Sequence, residues 1–239
     1  MKTIIITGAS AGIGASCAQL FLDRGWRVGL LARREQALGD VAGGNENAVL
    51  LPCDVTDPAS VDAVFDSFVD QAGRIDVLFN NAGMFGTTAP IDEIGIEEWR
   101  QVRSVNLDGM FYCARAAFAR MRAQVPQGGR IVNNGSISAH APREGSVTYT
   151  TTKHAITGLT KSLSLDGRAF DIACGQIDIG NARTELLEGI IARDPENAPP
   201  TMDVGDVARA VLQMADLPPE ANVQFMTIMA TKMPYIGRG

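Results

Sequence analysis

The chain has 239 residues, of which 46% are hydrophobic and 20% are charged, a composition typical of a folded globular protein. Acidic residues outnumber basic ones by 27 to 21, so the formal net charge is −6. This balance argues against nucleic acid and against an anionic membrane surface as partners, because both are bound through clustered Lys and Arg side chains.

Strand-like and helix-like segments alternate in the first third of the chain. The spacing of apolar residues predicts strands over 2–6, 27–31, 49–52 and 75–79, and helices over 12–24 and 60–72. Strands that alternate with helices of this length are typical of parallel strands joined by crossover helices.

The alternation continues to the end of the chain. A long helix is predicted over 97–124, interrupted near Asn106. It is followed by strands over 130–133, 170–177 and 223–229, with helices over 147–165 and 206–215 between them. The segment 192–200 is predicted to be a loop. These elements predict an α/β fold, with one doubly wound parallel sheet of Rossmann type over 1–239 and helices on both faces.

A glycine-rich turn connects the first strand to the first helix. Its sequence is T-G-A-S-A-G-I-G, with Gly8, Gly12 and Gly14. Glycine permits a tight turn and lets a diphosphate approach the main chain, and the N–H groups that begin the next helix face the anion. The position between a strand and a helix indicates a dinucleotide site. A P-loop is excluded because no Lys follows the last glycine.

The spacing T-G-x-x-x-G-x-G resembles that of the short-chain dehydrogenase/reductase family, and the resemblance extends over nearly the whole chain. It implies an oxidoreductase with a nicotinamide cofactor. The residues of the turn that would contact this cofactor are Gly8, Ser10, Gly12, Ile13 and Gly14.

Three further segments match the family. Cys-Asp-Val over 53–55 resembles its adenine-binding step, and N-N-A-G over 80–83 resembles its signature beside the cofactor. After the sixth strand the family's Gly and Thr are present, although its Pro is absent. The cofactor contacts implied by these segments are Asp54, Val55, Asn81, Ala82, Gly83, Gly180 and Thr184.

The end of the second strand bears on the choice of cofactor. An NAD-preferring site usually has Asp or Glu there, which binds the ribose 2′-OH and would repel a 2′-phosphate. This chain has Ala32 followed by Arg33 and Arg34, and guanidinium groups suit phosphate because they are planar and permanently charged. NADP(H) is therefore expected over NAD(H), with Arg33 as the first contact and Arg34 as support.

Four residues predict the chemistry. Tyr149 and Lys153 project from one face of a predicted helix, Ser136 follows a strand, and Asn106 interrupts the long helix. They match the family's Tyr, Lys, Ser and Asn, which implies hydride transfer between nicotinamide and a carbonyl/alcohol substrate. Ser138 competes with Ser136, but the family spacing to the tyrosine favours Ser136.

Each of the four has an expected role. Tyr149 acts as general acid/base, its pKa lowered by the Lys153 ammonium, which also binds the ribose hydroxyls together with Tyr149 at the cofactor. Ser136 donates to the substrate oxygen. Asn106 holds a water that connects Lys153 to solvent.

Substrate choice is expected to depend on residues after the fourth, fifth and sixth strands, with 185–203 as a substrate loop. Outside that loop these residues are Phe85, His140, Arg143 and Glu144. Asp178 is either a substrate-facing carboxylate or a hydrogen-bonded structural residue. His140 is either an ordinary surface residue or a substrate ligand.

Other features bear on location and assembly. The cysteines, Cys17, Cys53, Cys113 and Cys174, are far apart and are expected to be buried and reduced, and with only two His a metal site is not expected. The N-terminal apolar run is too short for a signal peptide and no stretch reaches membrane-span length, so a cytoplasmic protein is expected, without a membrane partner.

The helices over 97–124 and 147–165 are apolar on more than one face, which predicts a homodimer or homotetramer. The tail over 231–239 is expected to contact a neighbouring subunit or to cover the substrate pocket. Two other functions stay open on the same fold: an NAD-dependent alcohol dehydrogenase, and a non-catalytic nucleotide-sensing module.

Overall fold

The computed structural model describes residues 1–193 and 195–236. Its strands are β1 (Thr3–Thr7), β2 (Arg27–Ala32), β3 (Ala48–Pro52), β4 (Val77–Asn80), β5 (Gly129–Asn134), β6 (Ile172–Ile179) and β7 (Phe225–Ile228). They form one sheet in the order β3-β2-β1-β4-β5-β6-β7, with every neighbouring pair parallel. The doubly wound parallel sheet predicted from the alternation of elements is confirmed.

Helices connect the strands. They are α1 (Gly12–Asp23), α2 (Glu35–Ala42), α3 (Pro58–Ala72), α4 (Ile96–Arg103), α5 (Met110–Ala123), α6 (Val147–Gly167), α7 (Glu185–Arg193) and α8 (Val204–Ala215). A π-helical turn, Ser104–Gly109, joins α4 to α5 at the predicted interruption. Within the described ranges, no helix has the length and apolar character needed to cross a membrane.

Two parts of the chain differ from the sequence-based prediction. Helix α2 was not predicted. The predicted loop over 192–200 is wrong at its start, because residues 192 and 193 are the end of α7 and a 3-10 turn, Pro195–Asn197, follows. The predicted substrate loop over 185–203 is therefore partly helical. Residue 194 lies outside the described residues.

Local sequence explains where helices begin and end. Asp57 precedes α3 and accepts a hydrogen bond from the Ala59 N–H, while Pro58 occupies the first helical position, where no N–H is needed. Gly73 ends the same helix with a φ of 82°, a left-handed conformation that favours glycine. These local contacts fix the first and last residues of α3.

The helices cover both faces of the sheet. On one face α1, α2 and α8 pack around Phe21, Leu38 and Val211, and on the other α3 and α5 pack around Phe65 and Cys113. All five side chains are fully buried, and each large one contributes about 2 kcal/mol of hydrophobic stabilisation. All four cysteines are buried and free of disulfides, as predicted.

The strand order places a crevice at one edge of the sheet. The chain proceeds from β1 outward to β3 and then returns to β4 on the other side of β1, so the order reverses between β1 and β4. In open parallel sheets, ligands bind outside the carboxyl ends of the strands at this switch point. The turns after β1, β4, β5 and β6 all lie at that edge.

Candidate active site

The turn after β1 is open to a ligand. Gly8 and Gly12 have φ values of 68° and 53°, which favour glycine. A Cβ on Gly14 would lie 2.2 Å from the Gly8 carbonyl oxygen, so no larger residue fits there. Ser10 lies in the turn and Ile13 in the first helical turn of α1.

The start of α1 is suited to an anion. No side chain caps its first N–H groups, and its first turn contains no acidic residue. Its uncapped N–H groups and the positive end of the helix dipole therefore remain for an anionic group. Together with the glycines of the turn, which lack Cβ atoms, this arrangement fits the diphosphate of a dinucleotide.

The motif after β4 ties three strands together. Thr7 Oγ1 accepts hydrogen bonds from the N–H groups of Asn81 and Ala82, both at 2.8 Å, and Asn81 Nδ2 donates to the Thr7 carbonyl oxygen at 2.9 Å. Asn134, at the end of β5, donates through Nδ2 to Asn81 Oδ1 at 2.8 Å. The motif therefore braces the crevice. Asn134 was missed from the sequence, although its place at a strand end beside a second Asn was a usable signal.

Asn106 lies in the π-helical turn and is 1% exposed. Its Oδ1 accepts from the Met84 N–H at 2.8 Å, and its Nδ2 donates to the Met84 carbonyl oxygen at 2.8 Å and to Thr152 Oγ1 at 3.3 Å. A Cβ on Gly83 would lie 3.3 Å from Asn106 Oδ1, so this glycine leaves room for the amide. These contacts hold the loop after β4 against α6. A water held by Asn106 stays a prediction.

Tyr149 and Lys153 lie one turn apart near the start of α6, with Lys153 Nζ 5.4 Å from the centroid of the Tyr149 ring. Lys153 is 4% exposed, and its Nζ donates to the Asn134 carbonyl oxygen at 2.7 Å. Burial lowers the pKa of Lys153 to about 8, although the Asp178 carboxylate acts in the opposite direction.

Burial also raises the pKa of Tyr149, because the phenolate would lose its hydration. The Ser136 side chain and then the Arg143 guanidinium lower this pKa in part, whereas Asp178 raises it. Desolvation is the largest of these effects, so the pKa of Tyr149 in the chain alone lies above its ordinary value. The lowering of this pKa by the Lys153 ammonium stays a prediction. Phe85 contributes to this apolar cover, with its ring centroid 4.6 Å from that of Tyr149.

Asp178 on β6 is fully buried and binds three partners. Its Oδ1 accepts from the Ser136 N–H at 2.9 Å and from Gln176 Nε2 at 2.7 Å, and its Oδ2 lies 2.7 Å from His140 Nε2. Of its two interpretations, the hydrogen-bonded structural one is confirmed. A carboxylate in a strand buried on both faces needs such partners, but the sequence could not name them.

The segments after β2 and β3, which are predicted to bind the adenosine half of the cofactor, contain exposed cations. Arg33 and Arg34 are both exposed directly after β2, and in the described part of the chain neither has a salt-bridge partner. Asp54 Oδ1 accepts from the N–H and Oγ1 of Thr56 at 2.9 and 2.8 Å. Val55 is buried in the core on one face of the sheet. Arg33 and Arg34 are free to meet a phosphate.

The end of β6 contacts the glycine turn. Thr184, just before α7, approaches it closely, because a Cβ on Gly12 would lie 3.2 Å from Thr184 Cγ2. Gly180 has a packing role as well, since a Cβ there would lie 2.6 Å from the Cβ of Met229 after β7. The structure therefore brings Thr184, but not Gly180, into contact with the turn.

A cavity of about 430 Å³ opens beside these residues. Of the predicted substrate-choosing residues, Arg143 and residues 198–200 line it, whereas Phe85 packs on Tyr149 and Glu144 is exposed outside it. Residues 233–235 of the tail also line it. Residues 237–239 of the tail lie outside the described residues.

The fold and the glycine turn at its switch point define a dinucleotide-binding protein of Rossmann type. Residues 2–194 match the family model described as short chain dehydrogenase. The chain therefore belongs to the short-chain dehydrogenase/reductase family of nicotinamide-dependent oxidoreductases, as the glycine spacing predicted.

Relatives agree with this assignment. The chain is 32% identical over 191 residues to a 3beta-hydroxysteroid dehydrogenase from Mediterraneibacter gnavus, which covers 78% of this chain and 68% of that protein. It superposes on the closed form of a serine dehydrogenase complexed with NADP+ with a TM-score of 0.90 and 25% identity, over 99% and 98% of the two chains. A 3-ketoacyl-(acyl-carrier-protein) reductase from Brucella melitensis complexed with NADH shares the fold, with a TM-score of 0.88 and 23% identity over 95% and 96%.

Proposed function

We propose that this chain is an NADP(H)-dependent oxidoreductase that interconverts a carbonyl compound and an alcohol, with Tyr149 as general acid/base. The observation that carries the proposal is the placement of Tyr149 and Lys153 one helical turn apart at the carboxyl edge of the sheet. Ser136 lies close enough for its side chain to act on the ionisation of Tyr149. The names of two relatives, both dehydrogenases, support this class of reaction.

The residues divide the chemistry among them. When bound, NADPH supplies the hydride. The raised pKa of Tyr149 keeps its hydroxyl protonated at neutral pH, so it can donate a proton to the carbonyl oxygen as negative charge develops there. Ser136 donates a hydrogen bond to the same oxygen, and the Lys153 ammonium stabilises the phenolate that proton donation leaves behind.

Other residues would hold the cofactor. The diphosphate would lie against the glycine turn and the start of α1, the adenosine 2′-phosphate against Arg33 and Arg34, and the ribose hydroxyls against Lys153. The solved relatives carry either NADP+ or NADH, so they do not distinguish the two cofactors. The support for NADP(H) comes from Arg33 and Arg34. Four buried reduced thiols favour a cytoplasmic location.

A cofactor titration tests this preference. Nicotinamide fluorescence would follow NADPH and NADH binding to the wild type, to Arg33→Ala and to Arg24→Ala, an exposed Arg at the far end of α1. We expect Arg33→Ala alone to weaken NADPH binding by about 10- to 100-fold, the value of a charge-assisted contact, with NADH binding unchanged. Equal or tighter NADH binding in the wild type would favour an NAD-dependent alcohol dehydrogenase.

A turnover assay tests the reaction. A panel of aldehydes and ketones with NADPH should reveal reduction that Tyr149→Phe lowers by about 10²- to 10⁴-fold, the usual range for removal of a general acid. The variant should still bind NADPH, because the glycine turn, Arg33 and Lys153 are unchanged. Tight NADPH binding without turnover of any compound would favour a nucleotide-sensing module instead.

A further inference from the structure

We propose that the substrate carries a carboxylate or a similar anionic group, and that Arg143 binds this group in the cavity beside Tyr149. The inference rests on the proposed function, because it concerns the same site. It adds the charge and the shape of the substrate, which the family assignment leaves open.

The position of the cavity connects it to the reaction centre. Its wall includes Ile137, which follows Ser136, and Asn181, which follows Gly180 at the end of β6. Ser136 belongs to the site described above, and Gly180 follows β6 at the same carboxyl edge of the sheet. The volume of about 430 Å³ lies within the range usual for small-molecule pockets. A substrate that presents its carbonyl to Tyr149 would extend into this space.

Three of the side chains that line the cavity can donate hydrogen bonds, and the other lining side chains are apolar. The apolar residues are Ile137, Ala141, Pro142, Ala198, Pro199, Pro200, Met233 and Pro234. The donors are Arg143, Asn181 and Tyr235, and among the described lining residues Arg143 is the one that carries a charge. In a chain with a net charge of −6, one cation and no carboxylate among the described residues of the wall favour an anionic guest.

Arg143 is free to bind such a guest. Its carbonyl oxygen accepts hydrogen bonds from the N–H and the Oγ of Ser146, at 3.3 and 2.8 Å, which fixes the main chain of this loop. Over residues 1–193 and 195–236, no carboxylate lies within salt-bridge distance of its guanidinium. The neighbouring Glu144 is exposed and does not line the cavity.

The other basic residue of this loop does not compete for the role. His140 Nε2 lies 2.7 Å from Asp178 Oδ2, so its ring already has an acidic partner. Arg143 is also close enough to Tyr149 for its charge to lower the pKa of that phenol. One small substrate could therefore place its anionic group at Arg143 and its carbonyl at the Tyr149 hydroxyl.

Matched pairs of carbonyl compounds test the inference. The probes are 4-formylbenzoate and 4-oxopentanoate, each compared with its uncharged methyl ester. The assay measures kcat/KM with NADPH for the wild type, Arg143→Gln, Arg143→Lys and the control Arg24→Gln. The control also removes one positive charge, but from Arg24, which follows the end of α1 at the opposite edge of the sheet.

We expect the wild type to prefer each acid to its ester. Arg143→Gln should lower kcat/KM for the acids by about 10- to 100-fold, the value of a charge-assisted contact, and leave the esters within about threefold. Arg143→Lys should retain part of the preference, because it keeps the charge but loses the planar fork. The control should behave as the wild type does. Acids and esters reduced equally well, with no effect of Arg143→Gln, would overturn the inference and leave the proposed function intact.

A binding measurement separates the two proposals if no compound is reduced. Equilibrium dialysis of 4-formylbenzoate and its methyl ester against the NADP+-loaded wild type and Arg143→Gln does not depend on turnover. Binding of the acid to the wild type but not to Arg143→Gln would support the anion site even though the proposed reaction had failed. Absence of acid binding, or equal binding to both proteins, would overturn the anion site.

Discussion

The ammonium group of Lys153 lies in an environment that disfavours its charge. The side chain is 4% exposed, and burial lowers its pKa from 10.5 to about 8. A shift of this size corresponds to roughly 3 kcal/mol of stability lost at neutral pH. Natural proteins tolerate such a cost at sites where the charge serves binding or catalysis.

Lys153→Met should change how stability depends on pH. An unfolded Lys is protonated below about pH 10.5 and folded Lys153 only below about pH 8, so between these values the unfolded state binds more protons. The native state therefore gains stability as the pH rises through this window. Relative to Lys153→Met, the wild-type free energy of unfolding should rise by about 2 kcal/mol from roughly pH 7.5 to roughly pH 9.5.

Urea denaturation of both proteins at several pH values measures this difference. The comparison cancels the titration of cysteines and other lysines, which both proteins share. A difference that does not change with pH would show that the pKa of Lys153 is not lowered in the folded chain.

The buried carboxylate of Asp178 allows a second prediction. In Asp178→Ala the Ser136 N–H and the Gln176 amide lose their acceptor inside the protein, so the free energy of unfolding should fall by about 2–4 kcal/mol. His140→Ala is the matched variant on the other side of the contact. His140→Ala removes the partner of Asp178 Oδ2 but keeps both hydrogen bonds to Oδ1, so it should cost about 1–2 kcal/mol, less than Asp178→Ala. Equal losses in thermal or urea unfolding would contradict this asymmetry.

At the scale of elements, the glycine turn and α2 provide a contrast between two glycines. Gly14→Ala should destabilise the chain and abolish NADPH binding, because a Cβ there would lie 2.2 Å from the Gly8 carbonyl oxygen. Gly39→Ala, inside α2, should stabilise by up to about 1 kcal/mol, because that position is open and Ala is the better helix former. Melting temperatures and NADPH titration check both. A tolerated Ala at residue 14 would show that the turn can open.

Element types were predictable where apolar periodicity was strong. Every strand and the outer ends of all five predicted helices lie within two residues of the observed bounds, because a parallel sheet buries its strands on both faces and its helices on one. Helix α2 was missed because it is only eight residues long and contains a glycine, so its apolar residues give a weak helical period, and only Leu38 and Ala42 are buried. Helix α7 was missed because it precedes a Pro-rich segment that suggested a loop.

The site was predictable where its residues lie close together in the sequence. Tyr149, Lys153 and the glycines follow from spacing, since a turn or a helix face relates them locally. The pairing of Asp178 with His140 joins residues 38 apart in sequence, and the braces from Asn106 to Met84 span 22. Such contacts depend on how loops fold over the sheet, which periodicity does not describe. The desolvation that raises the pKa of Tyr149 was not predicted for the same reason, because burial is a property of the packed site.

At the scale of the whole molecule, exposed apolar side chains on α4 to α6 suggest that copies of the chain associate. Ile96, Phe111 and Leu165 are 65%, 48% and 60% exposed. Exposed patches of this kind on monomers mark interaction sites. The homodimer or homotetramer predicted from the sequence stays a prediction.

Phe111→Glu should shift the assembly toward the monomer, because a charge at a packed interface is left without a partner. Val125→Glu is the control, since Val125 is 93% exposed at the other end of α5. Light scattering after size-exclusion chromatography, at about micromolar protein, measures the mass of each. A wild type that elutes as a monomer would remove the basis of this prediction.

The π-helical turn between α4 and α5 should open more often than the helices on either side. Its wider hydrogen-bonding ladder is less favourable than the α-helical one on either side. Amide hydrogens of residues 104–109 should therefore exchange with deuterium faster than those of the flanking helices. Helices α4 and α5 would then unfold locally as two separate units. The Asn106 side chain joins the π-helical turn to the Met84 main chain through two hydrogen bonds. The rate of exchange there would report how often the loop after β4 parts from α6.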